Sequence, residues 1–263
     1  MPLPRPAGVS FRNAQIFCLL ILTVFACESE LTAKDESNVF CRQALTRKHR
    51  REVATRLQRI TGWSDLDFDS NGMLRLGRAE AVGGSASARD LIAAVLDSAS
   101  PKILEEANKR ADIAFSQVGL ASWRNENGET LQVHVVSIDF SDFEHIAGHA
   151  MARAAFDIGW VLLHEFDHII NRSTDATLIE DTGECEAYIN QMRQECNLPV
   201  RAHYFFTSVP LNTSSPFVTS WVRLAFDRDP GPMGSKRRYW LVWDANLVGG
   251  TFQSKQLASV TSY

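Results

Sequence analysis

The stretch Phe156-Asp-Ile-Gly-Trp-Val-Leu-Leu-His-Glu-Phe-Asp-His-Ile-Ile170 decides how the rest of the chain is read. It is apolar for most of its length, yet it carries His164, Glu165 and His168. His164 and His168 are four residues apart, so a helix sets them one turn apart on the same face. Two imidazoles placed that way can hold one tetrahedral metal ion, most often zinc. Glu165 follows the first histidine directly and suits a general base acting on water there. Three such groups left unpaired in an apolar helix would be costly, which weighs against two incidental histidines at a helix end. The pattern predicts a helix from about Ala150 to Ile170, with Ala154, Ala155, Ile158, Val161 and Leu162 buried.

Downstream, residues 171–182 are polar and turn the chain back. A second helix follows over Gly183–Cys196, capped by Asp181 or Thr182 and ended by Asn197-Leu-Pro199. Its apolar stripe is Cys185, Tyr188, Ile189, Met192 and Cys196. A catalytic zinc keeps three protein ligands and one open position, so one more ligand is needed. Glu184 and Glu186 both sit in the first turn of this helix, and helix geometry does not separate them.

Here the chain resembles the zincin metallopeptidases, in particular the gluzincin group that includes thermolysin. That group pairs HExxH on one helix with Glu-x-x-x-Asp on a following one. The resemblance covers only these two helices. It implies His164 and His168 as zinc ligands and Glu165 as the general base. Glu186-Ala-Tyr-Ile-Asn190 matches the second element, which makes Glu186 the expected third ligand and Glu184 its rival. Asn190 stands where the group has an Asp that orients the first histidine; it keeps a hydrogen-bond acceptor but no charge. Such enzymes add an oxyanion donor, for which His203 or Tyr204, or else Arg193 or Arg201, are at hand. The implied activity is zinc-dependent hydrolysis of peptide bonds in a peptide or protein substrate. The other reading is an exported binding or structural domain, in which an inactive zincin-like core uses zinc to tie the two helices.

The chain has 263 residues, 45% hydrophobic and 22% charged, which is ordinary globular composition. With a formal net charge of -4 and no large block of like charge, a nucleic-acid partner is not expected. The basic run Arg47–Arg51 fits a solvated helix start. Residues 1–27 read as an export signal: Arg5 and Arg12 precede an apolar run, Ile16–Phe25, that is short for a membrane span. Val24-Phe-Ala-Cys27 allows cleavage before Cys27 and also resembles a lipoprotein box that would lipidate Cys27; an uncleaved anchor is a third reading. The expected location is periplasmic or extracellular, with membrane contact only through such an anchor. Cys185 and Cys196 lie about 16 Å apart along one helix and cannot bridge each other; in an oxidising compartment Cys41 could pair with either.

Residues 28–40 are a polar lead, 41–252 a single domain, and 253–263 a tail expected to be disordered. Helices are expected over 42–60 and 88–96, the latter capped by Ser85 or Ser87. Leu66–Leu76 alternates around Ser70-Asn71-Gly72 and predicts a hairpin. Asp67, Asp69, Asn71 and Gly72 also open an EF-hand pattern, but Arg78 stands where its last carboxylate belongs. The clearest strand is 131–140, paired with 112–118 or 121–124 across the turn at 125–128. His145 and His149 repeat the four-residue spacing, but Gly148 weakens a helix there and no Glu follows His145, so a loop and helix start is expected. Residues 204–209 and 238–244 read as strands, 217–226 as helix or strand. Tyr239, Trp240 and Trp243 suit core packing more than a partner surface. The fold class is α+β, with both site helices packed on a small mixed or antiparallel sheet.

Overall fold

Apolar faces with two periods, 3.6 and 2, alternate along the chain and sort into helices and strands. The computed structural model describes residues 39–41, 45–124, 128–209, 220–229 and 235–251. The chain divides after Glu36, and the expected export signal, Cys27, most of the lead and the tail lie outside the described residues. Helices are α1 (Arg47–Thr61), α2 (Ala86–Asp97), α3 (Ala150–Ala155), α4 (Ile158–Ile170) and α5 (Gly183–Glu195). Strands are β1 (Val39–Cys41), β2 (Leu66–Phe68), β3 (Leu74–Leu76), β4 (Lys102–Glu106), β5 (Ser116–Arg124), β6 (Thr130–Ile138), β7 (Ala147–Gly148), β8 (Val200–Arg201), β9 (Thr207–Ser208), β10 (Trp221–Arg228) and β11 (Arg237–Asp244).

The architecture is α+β, as expected. A mixed sheet runs β1-β4-β6-β5, parallel except for the antiparallel pair β5–β6 at its edge. A second, antiparallel sheet runs β7-β11-β10-β8, with β9 also on β10. The hairpin at Gly72 forms as β2–β3, with Asp69 accepting from the backbone of Asn71 and Met73. No described helix is long and apolar enough to cross a membrane.

α4 is the centre of the main core. Its Ile158, Trp160, Leu162, Leu163 and Phe166 pack with Leu57 and Ile60 of α1, Leu91 and Ile92 of α2, and Val136 and Ile138 of β6. Gly159 permits the α1 crossing, because a Cβ there would lie 2.8 Å from Arg56 and Ile60 side-chain atoms. A second, aromatic core joins Phe115, Phe156, Phe206, Phe226 and Trp243 beneath the antiparallel sheet. The two cores meet at the start of α4.

The expected long helix is broken in two. Phe156 and Asp157 leave helical geometry, and the Asp157 carboxylate caps α4 by accepting from Gly159 and Trp160 N–H. Arg59 holds the same carboxylate at 2.6 Å. The expected cysteine bridge does not form: Cys41, Cys185 and Cys196 are all free. Cys185 is buried against His164, and Cys196 lies against the Ile60 carbonyl of α1. His145 ends a short 3-10 turn and His149 caps α3 through Nδ1, so this second histidine pair is used locally.

Candidate metal centre

One turn of α4 brings the two imidazoles together. Nε2 of His164 is 3.2 Å from Nε2 of His168, and the rings are perpendicular. A third atom completes the group. Asp175 Oδ1 lies 3.1 Å from His164 Nε2 and 3.4 Å from His168 Nε2. That oxygen is shielded from solvent and makes no aligned hydrogen bond. Ligand atoms about 2.0–2.1 Å from a tetrahedral zinc stand about 3.3 Å apart, so the triangle has the right size for one ion. Two imidazole nitrogens and one carboxylate oxygen at these separations are a donor set that suits zinc.

The remaining ring nitrogens are occupied from behind. His168 Nδ1 donates to the Ser173 carbonyl at 2.8 Å, which leaves the Nε2 lone pair free to face the group. His164 Nδ1 lies 3.2 Å from Cys185 Sγ and 3.5 Å from Glu186 Oε2. The Cys185 thiol is directed at the His164 carbonyl, so its sulfur accepts from Nδ1–H. Burial pushes that thiol up to about 12, against the pull of His164, which keeps it protonated. Cys185 also lies near enough to both histidines to count as a ligand. Its position on the Nδ1 side of His164 nevertheless makes it a supporting group where the triangle uses Nε2.

Glu186, the expected third ligand, and its rival Glu184 are each held by other partners. Glu186 is fully buried and ion-paired with Arg193, and with Arg201 at 3.0 Å. Burial would raise its carboxyl, but Arg193, Arg201 and His164 hold it far below the usual range. It therefore supports His164 from the Nδ1 side, away from the Nε2 triangle. Glu184 accepts from Thr174 N–H and hydroxyl at 3.1 and 3.0 Å, next to Asp175. Asn190 bonds Arg193 and the Arg201 backbone, not His164.

Asp175 comes from the loop between the two helices. The loop is fastened to α5 by a β-bridge between Asp175 and Gly183 and by Cys185 N–H bonding the Thr174 carbonyl. Gly183 has φ +76, and a Cβ there would lie 2.4 Å from Ala176 N. Only glycine lets the loop come this close. Asp175 is not among the ligands expected from the sequence: a carboxylate seven residues past His168 is a signal that could have found it, and it is weak without the bridge.

Glu165 is 6% exposed and faces a cavity, where it accepts from the Ser116 hydroxyl at 2.6 Å. Tyr204 stacks on His164 with centroids 6.0 Å apart. Burial raises the Tyr204 phenol, so it remains a donor. His203 does not line the cavity; its carbonyl accepts from Arg201. Of His203 and Tyr204, only Tyr204 reaches the group; Arg193 and Arg201, the other two candidates, line the cavity and are paired with Glu186.

Comparison with protein-family models, with curated proteins and with solved structures gave no match. The functional reading therefore rests on the geometry of this chain.

Proposed function

We propose that this protein is a zinc-dependent hydrolase of peptide bonds, with His164, His168 and Asp175 as the metal-holding residues and Glu165 as general base. The observation that carries the reading is the triangle of two Nε2 atoms and one orphaned Oδ1, with Glu165 next to it on the same helix. A zinc ion held there would polarise a carbonyl and make water a better nucleophile near neutral pH. Glu165 borders the cavity and, steadied by Ser116, takes the proton from water and returns it to the leaving amine. Tyr204, stacked on His164 and bordering the same cavity as Glu165, is the donor for the developing oxyanion. Glu186 and Cys185 hold the His164 ring in the tautomer that keeps Nε2 free.

A peptide substrate is favoured over other acyl compounds by β5. It is the outer strand of its sheet and begins at Ser116, the partner of Glu165. An extended peptide can add to such an edge and pass its backbone across Glu165. The test is hydrolysis of a broad peptide mixture by zinc-supplemented protein, with Glu165→Gln beside it. Cleavage lost in the variant while bound zinc is retained supports the reading; equal turnover in both excludes Glu165 as the base.

A further inference from the structure

The cavity beside Glu165 has a volume of about 240 Å³, room for one side chain. Along one wall run Phe156, at the break before α4, and Trp160 and Val161 of α4, the helix that also carries His164 and Glu165. Phe115 and Phe206 line it as well. These walls are apolar, but three charged groups underlie them: Glu186, Arg193 and Arg201. Their side chains are 1%, 2% and 8% exposed.

The charges do not balance. Glu186 is shared between both guanidinium groups, one carboxylate against two cations. The other hydrogen bonds that Arg193 and Arg201 make go to neutral acceptors: Ala155, His203 and Tyr204 carbonyls and the Asn190 side chain. Two further carboxylates border the cavity. Asp112 lies at its exposed rim, paired with Arg110 at 2.6 Å, and Glu165 is turned to Ser116. A buried cation without its own counter-ion is costly, and burial pulls Arg193 below the ordinary guanidinium range. Guanidinium also binds carboxylates with two parallel hydrogen bonds, which a compact ammonium does not.

We infer that this cavity is a specificity pocket for a carboxylate of the substrate, taken up between the aromatic walls and met by Arg201 and Arg193. The carboxylate is either an acidic side chain next to the cleaved bond or the end of the peptide chain. The inference rests on the peptidase reading for the word substrate, but the pocket can be tested without turnover.

Three probes separate the cases in calorimetric titrations of chelator-treated protein: acetyl-Glu-methylamide, its neutral isostere acetyl-Gln-methylamide, and acetyl-Gln with a free carboxyl. Acetyl-Phe-methylamide serves as an aromatic control. At least one acid should bind ten-fold or more tighter than the Gln amide, and which acid does so tells a side-chain pocket from an end-reading one. The preference should fall at least five-fold in Arg201→Gln. Should that variant fail to fold, Val161→Glu sets a carboxylate in the cavity and should remove the preference with Arg201 intact. Acids and Gln amide within two-fold of each other, or acetyl-Phe-methylamide tightest of all, would overturn the inference. Acid selection without cleavage of any peptide would leave the pocket standing and remove the peptidase reading. Cleavage with no acid preference would do the reverse.

Discussion

Gly183 forms an antiparallel bridge with Asp175, and it does so with φ +76 and no room for a Cβ, which would lie 2.4 Å from Ala176 N. The carboxylate that faces both histidines is thus placed by a backbone contact with the first residue of α5. Gly183→Ala is expected to cost about 2 kcal/mol or more, from the left-handed backbone and the overlap together. Zinc affinity should fall with it. Thermal unfolding with and without zinc checks both, and a variant with unchanged affinity would show that the bridge does not position Asp175.

Glu186 acts on His164 from behind, so Glu186→Gln should weaken zinc binding without ending it. A loss of about 10–100-fold is expected for an outer group. The same change leaves Arg193 and Arg201 without their shared counter-ion and should destabilise the fold by about 3–5 kcal/mol. Zinc competition with a chromophoric chelator gives the first number and denaturant unfolding the second. Complete loss of zinc from a folded Glu186→Gln would instead make Glu186 a ligand.

Ser116→Ala tests how Glu165 is held. The Ser116 hydroxyl is 2.6 Å from the Glu165 carboxylate. Peptide hydrolysis should fall by about 10-fold or less, against about 10²–10⁴-fold for Glu165→Gln. Bound zinc, measured by elemental analysis, should stay the same in both. A larger loss in Ser116→Ala than in Glu165→Gln would reverse the assigned roles.

Much of this arrangement was legible in the sequence, and the exceptions have physical causes. The HExxH spacing put His164, Glu165 and His168 on one helix, and that helix forms. Asp157 reads as an N-cap only once the chain bends at Phe156, so one predicted helix became α3 and α4. β4 follows Pro101 in a segment of mixed pattern, and its first residue, Lys102, is fully buried and donates to the Val95 and Ser98 carbonyls that end α2. Glu184 and Glu186 share the first turn of α5, and helix register does not choose between them. Helix register tells which residues share a face, but not which imidazole nitrogen a carboxylate meets. Asp175 lies in a loop whose path depends on one bridge, and no periodicity marks that.

Asp142 gives the fold a pH dependence of its own. It is 1% exposed, and burial pushes its carboxyl up to about 7, opposed by N–H bonds from Phe115 and Gly249 and reinforced by Asp139. The unfolded chain releases this proton near 3.8. From about pH 4 to 7 the folded protein therefore holds a proton that the unfolded chain has lost, and stability falls as pH rises through that window. Asp142→Asn lacks this contribution. The difference in Tm between wild type and variant should move in favour of the wild type as pH is lowered from 8 to 5. A constant difference would contradict the raised Asp142 carboxyl.

Asp175→Ala leaves both histidines and the α5 pairing backbone in place and removes only the oxygen that faces them. Zinc titration of chelator-stripped protein, wild type beside Asp175→Ala, is accordingly the most direct measurement. One zinc per wild-type chain, with binding lost or weakened by orders of magnitude in the variant, is the expected result. Equal zinc affinity in both proteins, or no zinc bound by the wild type, would contradict the site built on His164, His168 and Asp175.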